Sequence, residues 1–553
     1  ESTLNPETRR SGGMHYTSIE NIHKVIDPLF MNGFKAEFET ILEDKVEKTR
    51  NKKLDAFQEK LASQVFFDPA CGSGNFLTET YLSLRRLENE VIRARHHGQT
   101  FLGMDSVNPI KVGIGQFYGI EINDFAVTVA TTALWISEAQ MMAETEKIIS
   151  FNDNFLPLKT YTNITEGNAL RIDWSTVVPV DKLSYIIGNP PFVGARLMSE
   201  SQKQDVLDTF GTKWKNVGNL DYVSCWYKKA VEIMRLNPNV STALVSTNSI
   251  CQGEQVANLW EMLFEDGLHI NFAYRTFQWD SEASLKAHVH CIIVGFSFKQ
   301  NKQSIIYDGE RIINATNINA YLTDAPNVFV GKRQHPICDV PEIGIGNKPI
   351  DGGFYLFKKD EMEDFIKIEP ASKAYFRQWY GSDEFINRRP RYCLWLGDCS
   401  PAELRRMPEC LKRVQAVKDY RLASTSAGTR KLAERPTRFH VENMPKGNYI
   451  IIPEVSSERR RYVPIGFMTP DILSSNLVKL IPDASIYHFG VLTSNVHMAW
   501  MRTVCGRLKS DYRYSKDIVY NNFPWPEPAE QQKEKIEQTA QSILDARAKY
   551  PES

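Results

Sequence analysis

The fold is decided by the stretch Phe67-Asp68-Pro69-Ala70-Cys71-Gly72-Ser73-Gly74-Asn75-Phe76-Leu77, which follows a short apolar strand and opens a helical pattern. Gly72 and Gly74 let the backbone approach a ligand closely, and the helix behind them offers unpaired N–H groups in its first turn. A lone Gly-x-Gly is also typical of an ordinary tight turn. The residues at neighbouring strand ends must therefore decide between a ligand loop and a simple turn.

Two further strand ends carry polar residues that suit a nucleoside. The stretch Phe117-Tyr118-Gly119-Ile120-Glu121-Ile122-Asn123 predicts a strand ending in an acid that can hold two ribose hydroxyls. Glu121 lies 47 residues past Gly74, against about 20 in the dinucleotide pattern, so we expect an insertion near residues 85–115 and disfavour a nicotinamide cofactor. A third strand leads to Asn168, whose amide either contacts an adenine ring or only ends the strand. The three strand ends together predict a nucleoside pocket.

A fourth strand end carries candidate catalytic groups, in the stretch Tyr185-Ile186-Ile187-Gly188-Asn189-Pro190-Pro191-Phe192. Two prolines cannot continue a central ladder, so the chain leaves the sheet here and frees backbone carbonyls. The Asn189 side-chain oxygen and the Pro190 carbonyl can accept both hydrogens of an exocyclic amine on a heteroaromatic ring, and this favours a pyramidal nitrogen with an available lone pair. Phe192 can stack on that ring. The alternative is a plain Asn-Pro-Pro turn.

The hydrophobic pattern predicts an α/β fold with additions at both ends. Residues 1–62 indicate helices, with Ser18 as a cap, and the highly charged stretch from Glu37 to Lys60 predicts a solvated helix. From Val65 onward, helical segments alternate with short apolar runs, as in a mostly parallel sheet covered on both faces. The runs that predict strands are Val65–Phe67, Phe117–Ile122, Tyr185–Ile187, Ala243–Ser246 and Val289–Phe298. After about residue 330 that rhythm gives way to an irregular α+β pattern. A charged helix is predicted over about 531–550.

Charge divides the chain unevenly. Overall, 66 Lys and Arg face 67 Asp and Glu, but residues 371–520 hold 25 basic and 14 acidic residues, a local charge of +11. The remainder, with 41 basic and 53 acidic residues, carries −12. An arginine-rich section joined to an acidic one favours a polyphosphate-binding domain beside a catalytic domain. The alternative is a solvated charged face.

Composition excludes several classes of protein. With 553 residues, 42% hydrophobic and 24% charged, the chain predicts a multidomain globular protein rather than a disordered or fibrous one. The longest apolar runs are strand-sized, so we expect no membrane span and a location inside the cell. The nine cysteines lack zinc-ligand spacing, which predicts reduced thiols and no metal site. Because the chain begins with Glu1, we expect a fragment or a processed form.

These motifs resemble those of S-adenosylmethionine-dependent DNA amino-methyltransferases. Asp68 to Gly74 followed by Asn189-Pro190-Pro191-Phe192 is similar to the motif pair of adenine-N6 enzymes with a C-terminal target-recognition domain. The stretch from Gly12 to Ser18 resembles an N-terminal cofactor loop, and Leu220-Asp221-Tyr222 and Ala243-Ser246 resemble later core motifs. The stretches Gly506-Ser515 and Asn521-Pro526 resemble the C-terminal part of the MmeI-like, type IIL restriction-modification family. The resemblance covers nearly the whole chain.

The resemblance implies a Rossmann-like class I methyltransferase sheet with an N-terminal helical segment and a C-terminal α+β target-recognition domain. We expect an N-terminal helical segment with a cofactor-capping loop over 1–62, a catalytic domain over 63–330, a target-recognition domain over 331–525 and a C-terminal helix over 526–553. The family usually carries an upstream endonuclease. We recognise no endonuclease pattern in this sequence, and we interpret Glu43-Asp44-Lys45 as part of a charged surface. We therefore expect this chain to methylate without cutting, and we expect a nuclease domain or subunit elsewhere.

The expected activity is site-specific methylation of the N6 amine of an adenine flipped out of double-stranded DNA, within a restriction-modification or phage-defence system. S-adenosyl-L-methionine is the expected cofactor, and the expected location is the bacterial or archaeal cytoplasm, on the nucleoid. Cytosine-N4 methylation poses the same lone-pair problem and stays open, because adenine is favoured by resemblance alone. A protein-glutamine methyltransferase and a non-catalytic DNA-binding module are further alternatives. Carbon-5 methylation is disfavoured, since no Pro-Cys nucleophile occurs at the catalytic strand end.

The candidate site residues fall into three sets. The expected catalytic residues are Asn189, Pro190, Pro191 and Phe192. The expected cofactor-binding residues are His15, Tyr16, Thr17, Asp68, Pro69, Ala70, Gly72, Gly74, Asn75, Phe76, Glu121, Ile122, Asn168, Ala169 and Asn189. The expected DNA-binding residues are Arg388, Arg389, Arg391, Arg459, Arg460, Arg461, Arg507, Lys509 and Arg513.

Overall fold

The computed structural model of this chain describes residues 17–95, 109–149, 162–279, 289–508 and 510–550. The chain separates into two compact units, Glu1–Phe329 and Val330–Ser553, which we call unit 1 and unit 2. Among the described helices, none has the length and apolar character needed to cross a bilayer. All nine cysteines are free thiols and seven are buried, as the sequence predicted.

Unit 1 is built on a nine-stranded sheet in the order β3-β2-β1-β4-β5-β7-β6-β8-β9. Its strands are β1 (Phe66–Asp68), β2 (Phe117–Glu121), β3 (Asn163–Glu166), β4 (Tyr185–Gly188), β5 (Ser241–Thr247), β6 (His269–Trp279), β7 (Val289–Ser297), β8 (Ser304–Asp308) and β9 (Arg311–Ala315). Strands β3, β2, β1, β4 and β5 are parallel, and β7 lies antiparallel to both β5 and β6. The strand order reverses beside β1, which opens a crevice at the carboxyl ends of the parallel strands.

Helices cover both faces of this sheet. They are α1 (Ile19–Ile26), α2 (Asn32–Leu42), α3 (Glu47–Ala62), α4 (Asn75–Arg95), α5 (Asp124–Glu146), α6 (Glu200–Phe210), α7 (Ser224–Leu236), α8 (Gly253–Gln255) and α9 (Glu261–Glu265). Successive strand residues enter opposite cores: Phe66 and Ile187 pack with α1 to α5, whereas Phe67 and Ile186 pack with α6 and α7. Burial on both sides explains why these strands read as continuous apolar runs.

The N-terminal helices are more buried than their charge suggests. The Ser18 side chain accepts a hydrogen bond from Asn21 N at 3.4 Å and caps α1, as predicted. The prediction of one solvated helix from Glu37 to Lys60 is wrong, because α2 ends at Leu42 and α3 begins at Glu47. Each helix also buries an apolar face, including Phe38, Leu54, Phe57 and Leu61. The apolar residues are spaced for one face of a helix, and the charges fill the other.

Unit 2 contains three small sheets with helices around them. The strands are β10 (Gly344–Ile345), β11 (Leu356–Phe357), β12 (Phe376–Tyr380), β13 (Arg391–Leu394), β14 (Tyr449–Pro453), β15 (Val455–Ser456), β16 (Gly466–Met468), β17 (Leu473–Ser474), β18 (Val478–Pro482), β19 (Gly506–Leu508) and β20 (Asp511–Arg513). The helices are α10 (Lys359–Ile368), α11 (Ser382–Asn387), α12 (Pro401–Leu404), α13 (Pro408–Leu422), α14 (Ala427–Lys431), α15 (Ile486–Leu492), α16 (Asn495–Val504) and α17 (Glu530–Lys549). The sheets follow the orders β10-β18-β14-β16, β11-β13-β12-β17 and β15-β20-β19.

Helix α17 belongs to unit 2 and packs closely on α15. A Cβ at Gly490 would lie 2.8 Å from Ile536 Cγ2 and 3.1 Å from Ala540 Cβ, so the two helices approach at that glycine. The Arg547 guanidinium also donates to the Ile465 carbonyl. The predicted C-terminal helix is therefore docked on its unit through Ile536, Ala540 and Arg547.

Candidate active site

The glycine turn joins β1 to α4 at the crevice. Gly72 and Gly74 have φ angles of 53° and 81°, in the left-handed region that favours glycine. A Cβ at Gly74 would lie 3.0 Å from Ala130 Cβ, so this residue allows α5 to pack closely. A Cβ at Gly72 would meet no atom within 4 Å. Gly72 therefore presents open backbone toward the crevice, where a ligand can approach it.

Glu121 ties the end of β2 to this turn. Its carboxylate accepts hydrogen bonds from Gly72 N and Asn123 N, both at 3.0 Å. Burial raises the pKa of Glu121 above its ordinary value, although these N–H groups oppose the shift. The next residue, Ile122, is 67% exposed. The structure thus places a polar acid and an exposed apolar side chain side by side next to the glycine turn.

A second acid lies below the turn. Asp68 is buried, and its Oδ1 accepts a hydrogen bond from Ala70 N at 2.9 Å. Burial raises the pKa of Asp68 to about 8; the Ala70 N–H opposes this, and the nearby Glu121 charge adds to it. Because burial disfavours both charges, a cationic group in the crevice would favour their ionisation.

Both ends of the Asn168 side-chain amide form hydrogen bonds with protein groups. Its Nδ2 donates to Asp205 Oδ2 at 3.1 Å, and its Oδ1 accepts from Leu170 N at 2.9 Å. Asp205 lies on α6 and also accepts from Tyr222 Oη at 3.0 Å. The adjacent Ala169 carbonyl accepts from Trp174 Nε1 at 2.8 Å. The amide of Asn168 therefore fixes the loop after β3 against α6.

The tip of β4 holds a polar atom with no partner. Asn189 Nδ2 donates to the Thr17 hydroxyl oxygen at 3.2 Å, whereas Asn189 Oδ1 is buried and has no hydrogen-bond partner in the described part of the chain. An unsatisfied buried acceptor is costly, by about 1–3 kcal/mol, and is typical of a site that receives a donor from a ligand. Pro190 is buried, and Phe192 is half-buried against both cores.

Long-range hydrogen bonds hold this tip and the turn in place. Tyr222 N donates to the Val193 carbonyl at 2.9 Å, and Ala195 N donates to Asp221 Oδ1 at 3.2 Å. Trp226 Nε1 donates to the Pro69 carbonyl at 3.1 Å, across 157 positions of sequence. Sequence reasoning missed Asp205 and Trp226, because no local pattern marks a contact between distant segments.

The predicted DNA-binding arginines lie in two places in unit 2. Arg459, Arg460 and Arg461 are exposed on the loop after β15, whose sheet also carries Arg507 and Arg513. The other three lie at α11 and β13: Arg388, Arg389 and Arg391. Three of the described members of the set are already paired: Arg391 with Glu384 at 2.6 Å, Arg513 with Glu454 at 2.9 Å and Arg507 with Glu458 at 3.8 Å. His15, Tyr16 and Lys509 lie outside the described residues.

The strand order, the glycine turn and the acid at the end of β2 define a Rossmann-like class I methyltransferase domain. The sequence matches the family models for the MmeI DNA-methyltransferase domain over residues 43–308 and the MmeI target recognition domain over residues 324–527. The solved structure of the Type IIL restriction-modification enzyme MmeI in complex with DNA is 44% identical, with a TM-score of 0.92 over 100% of this chain and 74% of that chain. The chain belongs to the MmeI family and contains its methyltransferase and target recognition domains.

A curated relative is longer than this chain. DNA methyltransferase A of Bacillus subtilis (strain 168) is 41% identical over 553 residues. The match covers 99% of this chain but 61% of that protein.

Proposed function

We propose that this chain transfers a methyl group from S-adenosylmethionine to the N6 amine of an adenine flipped out of duplex DNA. The observation that carries the proposal is the buried Oδ1 of Asn189 at the tip of β4, which has no hydrogen-bond partner among the residues that the structure describes. An aromatic amine is a poor nucleophile because its lone pair is delocalised into the ring. Acceptance of its hydrogens by Asn189 Oδ1 and the Pro190 carbonyl favours a pyramidal nitrogen, and these acceptors need no charge to act.

The residues around the glycine turn fit the proposed cofactor. Gly72 leaves open space at its Cα, Glu121 presents a carboxylate to ribose hydroxyls, and Ile122 offers an apolar side chain to an adenine ring. Asp68 and Glu121 are both buried acids that a positive charge would favour in their ionised forms. When bound, S-adenosylmethionine supplies an electrophilic methyl group on a positive sulfur. The contribution of the chain is then to align the amine with that group.

Unit 2 is proposed to select the DNA sequence. It contains the section of local charge +11, and its exposed arginines at 459–461 suit phosphate or guanine contacts. The target base must leave the stack, at a cost of a few kcal/mol. Stacking of the flipped base on Phe192 would offset about 1–3 kcal/mol of this unstacking cost.

We further propose that the chain is the modification part of a restriction-modification system. MmeI is described as a Type IIL restriction-modification enzyme. An endonuclease domain or subunit would then act with this chain, and both would work on chromosomal DNA in the cytoplasm.

One experiment tests the proposal. The chain is incubated with methyl-labelled S-adenosylmethionine and plasmid DNA, and the DNA is digested to nucleosides. We expect the label in N6-methyladenine. Label in N4-methylcytosine would show that the target base is cytosine. Label in the protein fraction would show that the methyl acceptor is a protein amide and not DNA.

The variant Asn189→Ala tests the catalytic amide. We expect unchanged cofactor affinity by calorimetry and a loss of transfer of about 100-fold or more, as for removal of one transition-state hydrogen bond. Methylation of duplex DNA at the parent rate would refute the assignment of Asn189.

A further inference from the structure

The loop that follows the catalytic tip is rigidly held and presents one apolar side chain outward. Val193 and Ala195 are fixed by the hydrogen bonds from Tyr222 N and to Asp221 Oδ1 described above. Leu197 follows within this loop and is 82% exposed, the highest value for a large apolar side chain among the described residues. Isolated exposed leucines are common. This one is distinguished by its pinned backbone, eight positions after Asn189.

A second loop, residues 211–219, covers the same core cluster as the first. Trp214 and Val217 are buried in it, and the Trp214 ring meets Phe210 edge-on at 4.9 Å. The buried tryptophan anchors the loop and leaves its neighbours Lys213 and Lys215 exposed.

Three cations on these loops have no acidic partner among the described residues. Arg196, Lys213 and Lys215 are exposed, and none forms an ion pair with a residue that the structure describes. The acid closest in sequence to Leu197, Glu200, is paired with Lys203 at 2.7 Å. Cations that lack an acidic partner among the described residues, on two loops over one core cluster and with one of them next to an exposed leucine, suit a polyanion with an apolar interior. A duplex offers this combination where a base has left the stack.

We propose that Arg196, Leu197, Lys213 and Lys215 form a second DNA-contact surface, in which the three cations bind phosphates near the target nucleotide and Leu197 fills the gap left by the flipped base. The inference rests on the proposed function and extends it. It assigns the flipping step to unit 1, whereas every DNA-binding residue expected from the sequence lies in unit 2. Apolar wedges inserted at base steps are an established way to hold a duplex in a distorted form.

The cations are tested by binding, which does not depend on catalysis. The triple variant Arg196→Ala/Lys213→Ala/Lys215→Ala is compared with the wild type by fluorescence anisotropy on a labelled random-sequence duplex between about 50 and 200 mM salt. The binding constant K falls with salt, and each phosphate contact contributes about −0.9 to the slope of log K against log salt. We therefore expect the slope of the triple variant to be less steep by about 2 to 3. The matched control is Lys182→Ala/Lys299→Ala/Lys302→Ala, which removes three exposed cations at the amino ends of the parallel strands, opposite the ends that carry the site.

Leu197 is tested on the mapped methylation site. We expect Leu197→Ala to slow single-turnover methylation of a matched duplex by about tenfold and to recover when the base opposite the target is replaced by an abasic site, which makes flipping easier. Leu236→Ala is the control, because Leu236 is 68% exposed at the end of α7, near the start of β5 and away from the tip.

The outcomes separate the two proposals. Two results would refute this surface alone, provided that the wild type methylates duplex DNA. One is a triple variant whose slope of log K against log salt equals that of the wild type. The other is a Leu197→Ala variant that loses as much activity on the abasic duplex as on the matched duplex. A wild type that neither binds nor methylates duplex DNA would overturn the surface and the proposed function together.

Discussion

Replacement of Thr17 by valine tests how the side-chain amide of Asn189, which we propose to be catalytic, is oriented. Thr17 is buried, and its hydroxyl oxygen accepts the hydrogen bond from Asn189 Nδ2 at 3.2 Å. Valine keeps the shape of threonine and removes the acceptor. Without this bond, the preference of the Asn189 amide for its present orientation is weaker. The reversed orientation would place an N–H where the proposed mechanism requires an acceptor.

The size of the effect follows from the bond that is lost. A neutral, buried hydrogen bond contributes about 0.5–1.5 kcal/mol net. If that energy sets the preference between the two amide orientations, the single-turnover rate falls by between about twofold and about tenfold. This is much less than the expected effect of Asn189→Ala, because Thr17 positions the acceptor and does not replace it.

The assay separates this role from cofactor binding, which the sequence assigned to Thr17. Single-turnover methylation and the cofactor Kd are measured for the wild type, Thr17→Val and Thr17→Ser. We expect Thr17→Val to slow transfer at unchanged Kd and Thr17→Ser, which keeps the hydroxyl, to restore it. A Thr17→Val variant with weaker cofactor binding and an unchanged single-turnover rate would show that the hydrogen bond to Asn189 has no catalytic consequence.

Three further predictions concern the turn, the buried acid and unit 2. Gly72→Val should cost about 1–3 kcal/mol of unfolding free energy because φ is 53°, and it should abolish cofactor binding in calorimetry; normal binding would contradict an open cradle at Gly72. Folded Asp68, with a pKa of about 8, keeps a proton that the unfolded chain releases from about pH 4 upward, so the unfolding free energy should fall as pH rises through that window and level off above about 8. Urea unfolding of Asp68→Asn should show a flatter pH profile, and an unchanged profile would rule out this proton. Arg421→Met should destabilise unit 2 by about 3 kcal/mol or more, because the buried guanidinium donates to five backbone carbonyls that would lose their partner; an unfolding midpoint equal to that of the exposed control Arg405→Met would refute this.

Much of the methyltransferase sheet could be predicted because its information is local. β1, β2, β4, β5 and β7 each lie within two residues of a predicted apolar run, since strands buried on both faces need only continuous apolar residues. Strand β6 was not predicted. Its pairing with β7 shifts register between Ile270 and Phe272 and again between Tyr274 and Phe277. Such bulges break the period-two pattern on which sequence reasoning depends.

The candidate site was predictable in its parts and less so in its connections. The sequence marked Gly72, Glu121 and Asn189 because each follows an apolar run at a strand end. It did not indicate that the Glu121 carboxylate accepts from Gly72 N, or that the Asn168 amide is held by Asp205. These contacts depend on which strands are neighbours, and that order is set by packing between distant segments.

Charge shows the same difference between composition and arrangement. The count of +11 over residues 371–520 includes Arg421, which is buried on carbonyls, and Arg391 and Arg513, which are paired with acids. Such arginines add to the net charge but have less capacity to attract a phosphate. Conversely, the −12 remainder contains Arg196, Lys213 and Lys215, which are exposed without an acidic partner among the described residues. Because phosphate contacts depend on individual unpaired cations, the exposed and unpaired side chains of each unit predict DNA binding better than its net charge does.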